Sequence, residues 1–395
     1  MHYNLIMKIV YCLNSVRHIG GIEMVTIVKA NALAEVEGNE IYLVVTDNRN
    51  GVETTPLSSK VRLIDLDVNY YEDDWKSQLY VLKGLFIKRQ LHKERLKEVL
   101  TKIQPDVVIS VGLSEKYIVP SLRVGKSVIV REMHYVKNYR SLVAESFLGK
   151  IMAYCGDWYD YRHIIKKYDK IVVLTHEDKA LNWNEGERVA VIPNPCTFRT
   201  DAVSQLTTKK VIAIGRLVQQ KNFASLVRAF RLIANEHPDW VLEIYGEGGL
   251  RQELQDLIGN LKLTNNVYLK GHTSEVQVQL INASCFMMSS KFEGFPLVLI
   301  EAMKCGLPVV SYACPCGPKD IISDGVDGFL VPFGDEKMLA ERVCYLIENA
   351  DIREAMGHSA LKKAEKYSMD NIVSMWMGLF NDLLEAQRHP SEEEP

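Results

Sequence analysis

Short apolar segments rich in β-branched residues alternate along this chain with segments of helical character, and they form two series. The first series runs from Ile9–Cys12 to Val189–Ile192, and the second from Val211–Ile214 to Phe329–Val331. Continuous apolar strands that alternate with helices are typical of parallel sheets covered by helices on both faces. The pattern therefore predicts an α/β protein with two doubly wound parallel sheets.

Domain boundaries follow from length and from the segment between the two series. A chain of 395 residues is too long for one ordinary core. The segment 192–210 carries two prolines and a polar run, which is typical of a linker. We predict one domain at 1–198, a second at 199–368, a helix at 369–388 and a disordered tail at 389–395. Ligands of such sheets bind beyond the carboxyl ends of the strands, so a cleft between the domains is the expected site.

Composition narrows the class of protein. Apolar residues make up 47% and charged residues 25% of the chain, which is ordinary for a soluble globular protein. There is no apolar run of the length a membrane-spanning helix needs, and the first residues lack the pattern of a signal peptide. The eight scattered cysteines predict reduced thiols in a cytoplasm. A formal charge of −3 without a recognition motif argues against nucleic-acid binding.

One acidic residue stands inside an apolar segment. Leu297–Met303 is apolar except for Glu301, while Pro296 suits the first turn of a helix and Gly306 its C-terminal cap. A carboxylate in such a buried helix needs partners. Glu293 lies just before the helix, whose first N–H groups form an anion site suited to phosphate. Spacing alone favours neither of two interpretations. Glu301 binds the ribose hydroxyls of a nucleotide, or it faces a gap in the packing and pairs with a lysine.

Two other loops favour the ligand reading. Arg216 and Lys221 follow the first strand of the second series, where a diphosphate would sit. The next strand is followed by Gly246, Gly248 and Gly249, and such a loop lets a ligand approach the backbone. Each loop alone is weak evidence, because loop charges are usually solvated and glycines also make plain turns. Together they predict a nucleotide-sugar pocket at one sheet edge.

These segments resemble a known family. The stretches "GRLVQQKNF", "YGEGG", "EGFPLVLIEAMKCGLPVVS" and "GPKDIISDGVDGFLVPFGD", with "GGIE" near the start, are similar to glycosyltransferase family 4. Its members are retaining transferases with the GT-B fold, in which two Rossmann-like domains face a cleft. The resemblance implies that Glu293 and Glu301 are the family's acidic pair and that the last helix packs back on the first domain.

The resemblance also implies a role for each matching residue. Glu293 would position the transferred sugar, and His134 would be the active-site histidine beside it. The diphosphate would be bound without a metal or other cofactor. The residues implied to bind the diphosphate are Arg216, Lys221, Gly294, Phe295, Pro296, Leu297, Gly20 and Gly21. The residues implied to bind the nucleoside are Glu301, Gly246 and Glu247.

The predicted function is transfer of a hexose or N-acetylhexosamine from a nucleotide sugar, most simply a UDP-sugar, with retention. The implied acceptor is a hydroxyl of a lipid-linked or polysaccharide molecule in bacterial surface-glycan synthesis. The segment "CPCGPKDII" resembles a subgroup that often transfers galactose or N-acetylgalactosamine, although Cys316 departs from its pattern. A GT-B-type UDP-sugar epimerase and a catalytically inactive binding module are the alternatives.

No metal motif is found. Asp65 and Asp67 have the spacing of a metal-binding pair, but they follow a strand and are interpreted as loop caps. Cys314 and Cys316 lack a second pair at zinc spacing.

Basic and aromatic residues in the first domain predict a membrane contact. Segment 76–102 holds eight Lys or Arg and two Glu, a balance of +6, among apolar residues at helical spacing. Such a segment can lie on an anionic membrane surface, here the inner face of the cell membrane. A solvated helix that covers the sheet explains the same pattern equally well. A second aromatic group consists of Tyr154, Trp158, Tyr159 and Tyr161.

Overall fold

The computed structural model describes residues 7–17, 20–48, 55–70, 78–112, 114–137, 139–144, 146–183 and 186–388, without the side chains of 78–85 and 187. The chain divides into two compact units. The first comprises Met1–Val173, Asn182–Ile192 and Met369–Pro395, and the second comprises Leu174–Leu181 and Pro193–Ser368. This division differs from the predicted one in that residues 174–181 and 193–198 belong to the second unit. The tail predicted at 389–395 lies outside the described residues.

The first unit contains a seven-stranded parallel sheet. Its spatial order is β3-β2-β1-β4-β5-β6-β7. The strands are β1 (Met7–Leu13), β2 (Asn39–Val45), β3 (Val61–Asp65), β4 (Val107–Ser110), β5 (Val128–Glu132), β6 (Lys170–Val173) and β7 (Val189–Val191). Every strand predicted for the first series is present. The central strands are short apolar runs that are almost wholly buried, whereas the edge strand β3 exposes Arg62 and Asp65.

The second unit contains a six-stranded parallel sheet in the order β10-β9-β8-β11-β12-β13. Its strands are β8 (Lys210–Ile214), β9 (Val241–Tyr245), β10 (Val267–Gly271), β11 (Cys285–Met288), β12 (Val309–Tyr312) and β13 (Gly328–Val331). The order turns around between β8 and β11, which is the switch point of a doubly wound sheet. The predicted α/β class with two doubly wound sheets is confirmed.

Helices cover both sheets. In chain order they are α1 (Gly21–Leu33), α2 (Gln78–Ile103), α3 (Tyr139–Val143), α4 (Phe147–Tyr159), α5 (His176–Asn182), α6 (Phe223–Glu236), α7 (Arg251–Asn260), α8 (Val276–Ile281), α9 (Leu297–Lys304), α10 (Pro318–Ile321), α11 (Glu336–Glu348), α12 (Ala350–Ala364) and α13 (Met369–Arg388). The sequence pattern predicts a helix-like stretch over residues 140–167, and the chain forms it in two pieces rather than one. Ser146 caps a new helix there by accepting the N–H of Gly149, so α3 and α4 are separate.

The last helix belongs to the core of the first unit. Ile372, Trp376 and Phe380 of α13 are buried in the same apolar cluster as Ile9 and Tyr11 of β1. The apolar residues of α13 therefore pack against the first sheet, although the whole second unit lies between β1 and α13 in the sequence. Among the described residues, no helix combines the length and hydropathy needed to cross a lipid bilayer.

Candidate active site

The central feature of the second unit is a pair of loops at its switch point. Residues 215–222 follow β8, and residues 289–296 follow β11, the adjacent strand. The two loops are bonded to each other: Lys291 N–H donates to Gln220 O at 2.8 Å, and Gln220 Nε2 donates to Phe292 O at 3.0 Å. Ser289 Oγ donates to the carbonyl oxygens of Lys221 and Asn222, each at 3.0 Å. These bonds hold the two loops against each other.

An ion pair joins the two loops. Lys221 Nζ lies 2.6 Å from Glu293 Oε1, and the Glu293 side chain is 6% exposed against 19% for Lys221. The structure thus brings together a predicted diphosphate ligand and the predicted sugar-positioning acid. The pair leaves the other carboxylate oxygen and the remaining ammonium protons for other partners.

Arg216, in the same loop as Lys221, behaves differently. Its side chain is exposed, and within the described residues it forms no ion pair or hydrogen bond. A guanidinium that is free and placed beyond the carboxyl end of β8 can bind an anion without giving up another contact.

The glycines after β9 pack against the loop after β8. Gly246 and Gly248 have φ values of 141° and 159°. A Cβ at Gly246 would stand 1.9 Å from Gly215 O, and one at Gly248 would stand 2.4 Å from Leu217 O. The observed close approach is therefore to the neighbouring backbone, whereas we predicted approach to a ligand. Glu247 lies between these glycines with its side chain exposed, 3.3 Å from Arg251 Nη1.

Glu301 lies inside α9 and is 8% exposed. Its Oε1 accepts a hydrogen bond of 2.5 Å from Thr197 Oγ1. Burial raises the pKa of Glu301, and the bond from Thr197 opposes that rise in part. The alternative of a lysine partner is not realised in the described residues, because Lys304, the lysine of this helix, pairs with Glu365 instead. The carboxylate is thus held by one hydroxyl and retains capacity for more donors.

The turn before α9 offers fewer amides than the sequence suggested. Pro296 has no N–H, and Leu297 N–H donates to Phe295 O at 2.9 Å. The amides of Gly294 and Phe295 have no acceptor among the described residues. Gly317, at φ 124°, lies against this turn, where a Cβ would stand 2.3 Å from Pro296 Cδ. Two N–H groups, held by close packing, are therefore available to an anion.

Gly20 and Gly21 belong to the first unit. Gly20 is the N-cap of α1, Gly21 is its first residue, and both are exposed beyond the carboxyl end of β1. The Gly20 N–H donates to Glu23 Oε2 at 3.0 Å. A carboxylate thus occupies this helix terminus, and a phosphate here would have to displace it.

His134 follows β5 in the first unit and is buried. Its Nε2 lies 3.2 Å from Glu132 Oε1, and Glu132 also pairs with Lys29 of α1. Burial alone would raise the pKa of Glu132, but the charges of Lys29 and His134 outweigh it and lower the pKa to about 2. A cavity of about 220 Å³ adjoins His134 and is lined in part by Arg131 and Arg140. The imidazole therefore lies beside a buried carboxylate, at the wall of a cavity that cations and the acids Asp157 and Asp160 line together.

Three residues of these sites were not predicted from the sequence: Thr197, Gln220 and Ser289. Thr197 stands in the segment interpreted as a linker, 104 positions before Glu301, so no local pattern could reveal the contact. Asp65 and Asp67, in contrast, have the predicted role, because Asp67 N–H donates to Asp65 Oδ1 at 2.8 Å. All eight cysteines are free thiols, as predicted.

Comparison with known proteins supports the resemblance. Residues 197–363 match the model of the family described as glycosyl transferases group 1. An uncharacterized glycosyltransferase of Haemophilus influenzae is 26% identical over 94% of this chain and 99% of its own length. A Campylobacter jejuni N-acetylgalactosaminyltransferase, whose name gives an undecaprenol-linked glycan, is 28% identical over 55% of this chain and 61% of its own.

The fold is shared with a solved structure as well. Staphylococcus aureus TarM, crystallised with fondaparinux, α-GlcNAc-glycerol and UDP, superposes with a TM-score of 0.74 and 16% identity. The superposition covers 95% of this chain and 100% of TarM. These findings show the GT-B fold and support a glycosyltransferase, and the match to the family of group 1 glycosyl transferases covers residues 197–363 of the second unit.

Proposed function

We propose that the chain is a retaining, metal-independent transferase that moves a hexose or N-acetylhexosamine from a UDP-sugar. The observation that carries the proposal is the meeting of Lys221 and Glu293 at the switch point, 2.6 Å apart. Doubly wound sheets bind nucleotides at this place. A UDP molecule bound to TarM, a protein of the same fold, also supports a uridine nucleotide.

The chemistry of the donor loops is that of leaving-group stabilisation. Departure of UDP leaves negative charge on its β-phosphate, and preorganised donors stabilise such charge as it develops. Lys221, the free guanidinium of Arg216 and the amides of Gly294 and Phe295 are suited to this task. With two cations and two amides at one place, the proposed reaction requires no divalent ion. Full activity after treatment with EDTA is the expected result.

Glu301 is proposed to bind the ribose. Its carboxylate is buried and has one hydroxyl partner, so two vicinal hydroxyls of a ribose would complete its hydrogen bonding. Gly246 and Glu247 are proposed to lie beside the nucleoside. Their backbone geometry is fixed by packing on the loop after β8.

Glu293 is proposed to orient the sugar rather than to attack it. A carboxylate held by Lys221 is well placed to accept a hydrogen bond from a sugar hydroxyl, and pairing with a cation weakens it as a nucleophile. Retention would then arise by front-face substitution, in which the leaving phosphate takes the proton of the acceptor hydroxyl. The bond from the anomeric carbon to the phosphate oxygen breaks while the bond to the acceptor oxygen forms. His134 is proposed to contact the sugar. NMR of the product's anomeric centre tests retention.

The acceptor is proposed to be lipid-linked or polysaccharide, in bacterial surface-glycan synthesis. Helix α4 of the first unit supports a lipid-linked molecule, because it exposes apolar residues and buries its acid. Phe147 is 80% and Trp158 56% exposed, whereas Asp157 is buried beside Arg140. A groove of about 610 Å³ is lined by Trp158 and Tyr154 of this helix and by the cations Arg162 and Lys166, among others. A lining that is both apolar and basic suits a lipid chain joined to a phosphate.

The same surface is proposed to bring the protein to the anionic inner face of the membrane. Exposed aromatic residues next to cations are typical of interfacial helices. From the predicted basic segment 76–102, residues 76 and 77 lie outside the described residues, but Phe86 and Ile87 of α2 are exposed. Flotation on anionic liposomes is expected for the native chain and for Leu232→Ser, a control on the second unit. Flotation should fall for Phe147→Ser combined with Trp158→Ser, and no flotation even without salt would remove the membrane contact.

A panel of nucleotide sugars in a thermal-shift assay, followed by turnover with the best binder, tests the function itself. Galactose and N-acetylgalactosamine donors come first, since the Campylobacter relative is named for the latter. Donor consumption that depends on added acceptor is the expected result. Isomerisation of the donor without an acceptor would indicate an epimerase, and binding without turnover would indicate an inactive module.

A further inference from the structure

A second group of reactive side chains lies at the opposite edge of the second sheet from the donor loops. Helix α6 begins after the loop that carries Lys221 and ends at Glu236. Val241, which opens β9, donates its N–H to Lys209 O just before β8, so this end of α6 lies at the amino-terminal edge of the strands. Helix α11 ends at the same place with Glu348. The group is therefore remote from the proposed chemistry.

Four potential metal ligands meet between these two helix ends. One ligand atom each from Glu236, His237 and Cys344 lie within 4.8 Å of one another. Glu348, one turn after Cys344 on α11, places Oε1 3.2 Å from His237 Nε2. The thiol is buried, whereas the two carboxylates are exposed enough for an ion to enter.

The electrostatic environment favours a cation. Two helix C-termini converge here, and each carries a partial negative charge of about one half. Neither α6 nor α11 has a lysine or arginine in its last turn, where such residues usually offset this charge. Within the described part of the chain, Glu236 and Glu348 have no ion pair with lysine or arginine. Arg353 of α12 offsets the charge at the end of α11, because its guanidinium donates to Leu346 O and Ile347 O. The negative charge without a basic partner is therefore that of the end of α6 and of the two carboxylates.

We propose that Glu236, His237, Cys344 and Glu348 bind one zinc ion. Sulfur, imidazole nitrogen and carboxylate oxygen are the ligands that zinc takes in tetrahedral sites, whereas calcium and magnesium select oxygen alone. Zinc bond lengths of about 2.0–2.3 Å place tetrahedral ligand atoms about 3.4–3.6 Å apart. Glu348 Oε1 already lies 3.2 Å from His237 Nε2, and the ligand atoms of Glu236, His237 and Cys344, now within 4.8 Å of one another, would draw together around the ion. On binding, the Cys344 sulfur forms a bond to zinc and its proton passes to solvent.

The ion would tie the end of α6 to the end of α11. Both helices pack in the main apolar cluster of the second unit, through Ile233 and Val343 among others. Binding to the folded state alone stabilises that state, so the site would act on stability and not on sugar transfer. It is separate from the metal-independent donor site and does not rest on the proposed function.

Zinc and cobalt titrations of the metal-free full chain test the proposal. We expect saturable binding of one equivalent of Zn²⁺ and a rise in Tm. Co²⁺ should bind competitively with Zn²⁺ and give the intense thiolate-to-metal charge-transfer absorption of a sulfur ligand. Cys344→Ser should abolish that absorption and weaken Zn²⁺ binding more than tenfold, and His237→Gln should weaken it similarly. Cys155→Ser, which changes an exposed thiol of the first unit, is the matched control and should bind normally.

Three results would overturn the zinc site. The first is the absence of saturable binding, and the second is equal affinity in the native chain and both variants. The third is a Co²⁺ complex of the native chain without thiolate absorption, which needs no variant to fold. Urea unfolding of each variant without metal shows whether an altered affinity reflects a lost ligand or a lost fold.

Discussion

Replacement of Lys221 by methionine tests the donor site most directly. Methionine keeps an unbranched apolar side chain in place of the lysine stem and removes the charge. The native ammonium lies 2.6 Å from Glu293 Oε1, so Lys221→Met leaves that 6%-exposed acid without its cation. A UDP diphosphate at the switch point would then meet a carboxylate where a neutral ion pair had been.

The size of the effect follows from two contributions. A hydrogen bond between charged groups contributes about 1.5–3 kcal/mol. Two like charges about 4 Å apart repel by about 4 kcal/mol at an effective dielectric constant of about 20, and water at the open site reduces this further. Together the lost hydrogen bond and the new repulsion predict that the free energy of UDP binding becomes about 2–4 kcal/mol less favourable. Since 1.4 kcal/mol is a tenfold change, Kd for UDP should rise about 30- to 700-fold.

Isothermal titration with UDP measures this change. Lys319→Met is the matched control, because Lys319 also pairs with a glutamate of the second unit, Glu177, at 2.8 Å. The control should bind UDP within about twofold of the native chain. Lys221→Met combined with Glu293→Gln should recover part of the affinity, because the second change removes the repelling charge. If Lys221→Met binds UDP as the native chain does, the diphosphate lies elsewhere and the proposed site is refuted.

Three other expectations concern the remaining acids and the membrane. Glu301→Gln should weaken UDP binding about tenfold, whereas Glu293→Gln should lower kcat more than UDP affinity; equal and negligible effects of both would contradict their roles. Glu132 has a folded-state pKa of about 2 against an ordinary 4.5, so its contribution to stability is present above pH 4.5 and is lost as pH falls toward 2. The stability advantage over Glu132→Gln, about 3 kcal/mol at neutral pH, should therefore shrink on acidification in urea titrations. Phe147→Ser alone should reduce liposome flotation several-fold without changing Tm, because that side chain is 80% exposed.

The sequence predicted the strands better than the helices. The central strands are short apolar runs buried on both faces, so their pattern is local, whereas the edge strands β3 and β10 are only partly buried. The break between α3 and α4 depends on a cap at Ser146, which the aromatic and basic residues around it obscured. Helix α12 (Ala350–Ala364) was not predicted, because four of its seven apolar residues are alanines and the apolar stripe is weak.

In the candidate site, the sequence predicted which loops carry the charged residues, but it did not predict the contacts that these residues make. Acids and cations after adjacent strands must lie at one sheet edge, so Lys221 and Glu293 could be placed near each other from topology. The hydroxyl that holds Glu301 comes from Thr197, and no periodicity links the two. From the sequence, the glycines after β9 could allow close approach either of a ligand or of neighbouring backbone. In the folded chain Gly246 lies against Gly215 O.

Helix α13 has a consequence for how the protein is made. Trp376 is 1% exposed in the core of the first unit, where the ring lies 5.0 Å from the buried Lys29 ammonium. During synthesis, residues 7–192 leave the ribosome well before Trp376 does, because residues 193–368 are translated between them. Part of the core of the first unit therefore stays open to water until α13 has emerged and packed against β1.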